Sequence, residues 1–342
     1  MGFSGWSKQR LTSLRRNDTV LEAVCMSKNK HRIETRPVLL LILLSIIILI
    51  GMRITKGTTV TGAEITPKVY LNHFYLVVDS PIYKDIVESD FIKNNFASFE
   101  ERTTVVDDDE SYTGAYVYGE KTYIEFFDGS ESDDFMPPGL TSGMAFGVDQ
   151  KDEIKIIHKK LERLNEADFA LRTRAFQGMQ VPWCFMSAPS YGESNPDIMI
   201  WVMEYHQDFL KKWHPELLPS SPGIARKDIL ERYAAKIAAP SPPKDKILID
   251  IIEVNLDLTR RDCDILAGQL SVFNYKSHQE GNKRIFTGPD VRFFIDVIAE
   301  GTGKITGIKM SCRSNSFKEA TFPFGKRSRL VLHADNTATW VF

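Results

Sequence analysis

Cysteine is scarce, with four residues in 342, and no two of them are spaced as a metal or redox motif requires. Cys25 precedes the main apolar run, and Cys184, Cys263 and Cys312 follow it as an odd number, so at most one pair and a free thiol are expected there. Glycine (21) and proline (16) are too few for a collagen-like or low-complexity chain. No excess of one charge exists overall: the net charge is −2, which leaves no whole-chain electrostatic footprint for nucleic acid. Phosphate-binding loops, G-x-G-x-x-G turns, G-x-S-x-G elbows and H-E-x-x-H helices are all absent. No N-x-[ST] acceptor follows the apolar run. What is present is globular composition, 43% apolar and 26% charged, in a chain long enough for about two domains.

Only one long apolar run occurs, PVLLLILLSIIILIGM over 37–52, extended to 54 if Arg53 and Lys56 snorkel. It is short for a full bilayer span and long for the core of a signal peptide. A run apolar on every side offers water no polar face, so it is read as a transmembrane anchor over 37–54. Residues 1–56 carry ten Lys/Arg against three Asp/Glu, and most precede the run. The positive-inside rule then places 1–36 in the cytoplasm and the rest outside. A cleaved signal starting at Met26 is the alternative. The bilayer is one expected partner, a small molecule the other, and nucleic acid is not expected.

After a Thr-rich linker (55–68), VYLNHFYLVVD (69–79) reads as a strand and Ser80-Pro81 as a helix start. Strands at 99–106, 113–119 and 121–128 follow. A second pass through the same order begins at 142: a strand (142–150), an amphipathic helix (151–165), and strands at 168–178, 181–189 and 197–206. A helical linker spans 211–245. The C-terminal α+β unit, 246–342, offers a strand (246–258), a helix (259–273) and three strands ending in GKITGIKMSC, a third β-α-β-β-β candidate. The fold class is α+β, with paired β-α-β-β-β units forming a curved sheet over 69–210 behind an N-terminal transmembrane helix.

Three ionisable residues interrupt apolar strands: His73 in LNHFYLVVD, Glu125 in KTYIEFFD and Glu204 in WVMEYH. A carboxylate buried among Tyr, Ile and Phe needs a partner, and a metal, an arginine or a histidine would serve. Imidazole with carboxylates suits Zn, Mn, Fe or Ni. Strand alternation groups His73 with Tyr75 and Val77, Glu125 with Tyr123 and Phe127, and Glu204 with His206.

The paired units, with His73 in the first strand and Glu125 in the fourth, resemble the vicinal oxygen chelate superfamily of glyoxalases, extradiol dioxygenases and bleomycin-resistance proteins. The text LNHFYLVVDSPIY…YTGAYVYGEKTYIEFFD is similar to a group of uncharacterised proteins assigned there. The resemblance implies a divalent metal on the concave face of the sheet, held by His73, Glu125 and Glu204. It implies Glu125 and Glu204 as proton-shuttling carboxylates if the protein is a lyase- or dioxygenase-type enzyme. The fifth strand should supply His or Gln, and SGMAFGVDQ offers only Gly143 and Met144. Three functions therefore stand open: a metal-dependent pocket, a metal-free binding module, and an interaction ectodomain without an active site.

Overall fold

Phe74, Leu76 and Val78 alternate along β1 (Tyr70–Val78) with His73, Tyr75 and Val77, so this strand presents one wholly apolar face and one mixed face. The computed structural model describes residues 66–105, 111–131, 140–176, 179–191, 195–213, 224–237, 246–313 and 319–342, and builds sixteen strands on that plan. The first copy of the repeat is β1, helix α1 (Ser80–Glu88), β2 (Ser98–Val105), β3 (Ser111–Tyr118) and β4 (Tyr123–Asp128). The second is β5 (Ser142–Gly147), α2 (Glu153–Leu164), β6 (Ala167–Phe176), β7 (Met179–Pro189) and β8 (Ile198–Tyr205).

Together the two copies make one eight-stranded mixed sheet, ordered β2-β3-β4-β1-β5-β8-β7-β6. β1 and β5 lie antiparallel at its centre, and each is parallel to the last strand of its own copy. After α3 (Gln207–Trp213) and α4 (Arg226–Ile237) the plan repeats. β9 (Leu248–Thr259), α5 (Arg260–Val272), β10 (Lys276–Glu280), β11 (Lys283–Thr287) and β12 (Arg292–Ile298) are the third copy. β13 (Lys304–Cys312), β14 (Ala320–Phe324), β15 (Ser328–Leu332) and β16 (Thr337–Val341) are a fourth, and the stretch between β13 and β14 is shorter than even α1. The second sheet, β10-β11-β12-β9-β13-β16-β15-β14, repeats the order of the first.

This corrects the expected third unit. GKITGIKMSC opens the fourth copy, and the third gains β10, whose residues KSHQE are all exposed. An edge strand with no buried face carries no apolar alternation to be read.

The two sheets share one core through their apolar faces. Phe126 of β4 packs on Trp340 of β16, and Phe146 of β5 packs on Phe273 and on Phe293 of β12, with ring centroids 5.0, 5.0 and 5.9 Å apart. Pro67–Phe342 accordingly forms one compact unit. Cys184, Cys263 and Cys312 are buried free thiols. The cytoplasmic segment and the anchor over 37–54 lie outside the described residues. No helix among the described residues is long and apolar enough to cross a membrane.

Candidate functional site: the inner face of the first sheet

A register shift between Leu71 and His73 sets the site. The backbone of Leu71 is held from outside the sheet: its N–H donates to Asp290 Oδ1 (3.4 Å) and its carbonyl accepts from Arg226 Nη1. Arg226, the first residue of α4, is buried, and it also reaches Asp149 (3.3 Å) and Asp290 (2.8 Å). Beyond the shift, His73 lies between Ala145 of β5 and Tyr123 of β4, and Tyr75 lies between Gly143 and Glu125. The His73 ring stacks on Tyr123 (4.4 Å) and meets the edge of Trp201 (5.5 Å). Tyr75 packs on Phe127 and Trp201. His73 and Glu125 thus share an aromatic floor.

Hydrogen bonding fixes what the pair can accept. His73 Nδ1 lies 2.9 Å from Asn72 Oδ1. An amide oxygen only accepts, so Nδ1 carries the proton and Nε2 presents a lone pair. Nε2 faces Glu125 Oε1 at 3.9 Å, too far for a direct bond. Burial lowers the His73 pKa to about 3, so the ring is neutral at physiological pH. Burial raises the Glu125 pKa, against the opposing pull of Arg102, a hydrogen bond from Tyr123, and Arg174. When Glu125 is ionised, two acceptors point at each other and lack a shared donor. The buried hydroxyl of Tyr75 likewise has no hydrogen-bond partner.

The rim is basic and capped. Arg102 of β2 pairs with Glu100 and lies over Tyr116 (4.2 Å) and Tyr233 (5.5 Å). Arg174 of β6, from the opposite edge of the sheet, donates to Tyr233 Oη at 2.6 Å. Tyr233 belongs to α4 and stacks on Tyr118 of β3 at 5.5 Å. One helical side chain therefore touches both ends of the strand order, so the sheet curls and α4 bridges its mouth. Asn72, Arg102, Arg174 and Tyr233 went unnoticed in the sequence, because nothing local marks them and only the curl brings them to His73.

Glu204 is not brought to the site. Trp201 of β8 faces His73, and alternation turns Glu204 to the other side of the sheet. There its carboxylate accepts from the backbone N–H of Asp152 (2.9 Å) and of Ile154 (3.1 Å), at the start of α2. It satisfies amide donors that a helix start leaves open and opposes the positive end of the helix dipole. Desolvation nevertheless raises its pKa. His206 also turns away, with its Nδ1 accepting from the Asp208 amide.

The profile of one family covers residues 71–342. The chain belongs to the family of unknown function DUF5829. Among curated protein sequences there is no match. Similar solved structures include a hypothetical protein from Staphylococcus aureus, at 10% identity and TM-score 0.46, covering 75% of this chain and 95% of that one. An extradiol ring-cleaving dioxygenase from B. fuscum has 9% identity and TM-score 0.37 over 81% and 73% of the two chains. A putative dioxygenase from Bacillus subtilis has 11% identity and TM-score 0.26 over 78% and 82%. Likenesses this distant carry no chemistry across.

The DUF5829 chain's own residues decide whether the implied metal fits. Only His73 and Glu125 of the three proposed ligands share a face. At the fifth strand, the place of a further ligand is taken by Gly143, where a Cβ would come 2.5 Å from Tyr75 Cε1 and 3.0 Å from Trp201 Cζ3. Aromatic rings fill the space a ligand side chain would need. No group of three or more His, Cys, Asp or Glu side chains that could hold a metal occurs among the described residues. Two donors do not make the three-ligand centre of a catalytic metal, so the residues present do not fit the group.

Proposed function

We propose that this protein is a metal-independent small-molecule binding module, its pocket the inner face of the first sheet between His73, Glu125 and the α4 cap. One observation carries the reading: His73 Nε2 and Glu125 Oε1 are acceptors 3.9 Å apart, each facing the other with no donor between. Buried acceptors without a donor are costly, at about 1–3 kcal/mol each. A ligand that brings the donor recovers that cost. Flat aromatic walls from Tyr75, Tyr123, Phe127 and Trp201 supply contact area at little entropic cost.

The module would be held at a membrane by 37–54 and face outward, a placement resting on the charge asymmetry around that run. A reporter fused at Phe342 should be membrane-associated and extracytoplasmic, and a soluble cytosolic fusion would refute the placement.

The binding reading is tested by screening the full-length protein against small aromatic compounds for thermal stabilisation, before and after chelator treatment. Compounds that bind should do so equally in both states. Their effect should disappear in His73→Ala and Glu125→Ala. Binding that appears only after Zn, Mn, Fe or Ni is added would overturn the metal-free reading.

A further inference from the structure

We propose that the head group recognised at the floor is a primary ammonium, and that the ligand is a small zwitterion whose acid group lies toward Arg102 and Arg174. This deepens the binding-module reading and rests on it.

Counting hydrogens selects the head group. With Nδ1 protonated toward Asn72, the floor offers the Nε2 lone pair and the Glu125 carboxylate. Filling both requires two N–H or O–H hydrogens. A nitrogen placed about 2.8 Å from each acceptor would see them at about 90°, within reach of two N–H bonds of one tetrahedral centre. A single hydroxyl has one hydrogen and leaves an acceptor unfilled. The positive charge meets a carboxylate and the faces of Tyr123 and Trp201, the surroundings in which cation–π attraction adds to the ion pair.

The opposite charge is called for at the rim. Arg102 and Arg174 both lie close enough to act on Glu125 electrostatically. Arg102 Nε is buried with no hydrogen-bond partner, although its Nη1 is engaged by Glu100. An unfilled guanidinium donor beside a second guanidinium is a place for an anion. A simple amine would meet two repelling cations at the mouth, whereas a zwitterion matches both ends. Glu125 remains partly exposed, at 13%, so the floor is reachable from solvent.

The test titrates full-length protein with four probes: L-phenylalanine, phenethylamine, 3-phenylpropionate and catechol. Binding is read by calorimetry and by Trp201 emission. L-Phenylalanine should bind best. Loss of the ammonium, in 3-phenylpropionate, should weaken binding about 10- to 100-fold, the worth of hydrogen bonds to a charged group. Glu125→Gln should remove the preference for phenylalanine over 3-phenylpropionate. Arg102→Gln should remove its preference over phenethylamine. Equal or tighter binding of 3-phenylpropionate, or binding of catechol alone, overturns the ammonium assignment and leaves the pocket standing. If no probe binds, the assignment falls, and the wider screen against aromatic compounds then decides whether the pocket reading falls with it.

Discussion

At the residue scale, His73 and Glu125 affect stability in opposite directions with pH. Burial lowers the His73 pKa from 6.5 to about 3, so the folded protein binds fewer protons than the unfolded chain between those values. The stability His73 contributes is complete above pH 6.5 and is lost as pH falls, with a slope approaching about 1.4 kcal/mol per pH unit. Glu125 has its pKa raised by burial, so its contribution is complete in acid and is lost as pH rises through the raised value. Urea midpoints should therefore fall less steeply below pH 6.5 in His73→Gln than in the parent. Glu125→Gln should be more stable than the parent at pH 8, with the gain vanishing near pH 4. A Glu125→Gln protein less stable at pH 8 would mean that the carboxylate is already fully compensated. These two residues stood out in the sequence because a charge amid Tyr, Phe and Ile has few neutral explanations. Their facing lone pairs did not, since the tautomer depends on Asn72 and the separation on strand register.

At the element scale, helix α2 begins where the sequence suggested, and its stabilising partner lies far along the chain. Asp152 precedes α2 in the left-handed region (φ 67°) and makes no capping bond with its own side chain. Glu204, 52 positions later, accepts from the Asp152 and Ile154 amides instead. Glu204→Ala should cost about 1–2 kcal/mol, as removing a helix cap does, and Glu204→Gln less. Hydrogen exchange at Asp152 and Ile154 should accelerate while ligand binding in the bowl stays unchanged. Loss of binding with an intact helix start would return Glu204 to the site. A reader of sequence alone sees a glutamate in an apolar strand and cannot tell one face from the other, because WVMEYH is apolar on both sides of the strand. The same limit hid β10 and β14: KSHQE has no buried face, and ATFPF places Pro323 in an edge strand.

At the scale of the whole molecule, the two sheets form a single core and should melt as one. The strand order of the second sheet repeats the first, yet the apolar faces of both are consumed against each other. Trp340 shows the dependence. It is fully buried in the last strand, donates to Ser328 Oγ at 3.0 Å, and packs on Phe126 and Phe96 from the first copy. The repeat of the first two copies was legible from their period, whereas this docking was not, since nothing in RLVLHADNTATWVF names Phe126 as its partner. Arg226 ties the site to the same seam: Asp290, just before β12, helps hold the Leu71 backbone at the register shift ahead of His73. Trp340→Ala should cost about 3–5 kcal/mol, the range for deleting a large buried ring. The loss should be shared by both sheets: in parent and variant alike, Trp201 emission from the first sheet and far-ultraviolet dichroism from both should follow one coincident urea transition. Two separated transitions in the variant, with Trp201 emission unmoved, would show that the first sheet stands alone and that its binding face owes nothing to the second.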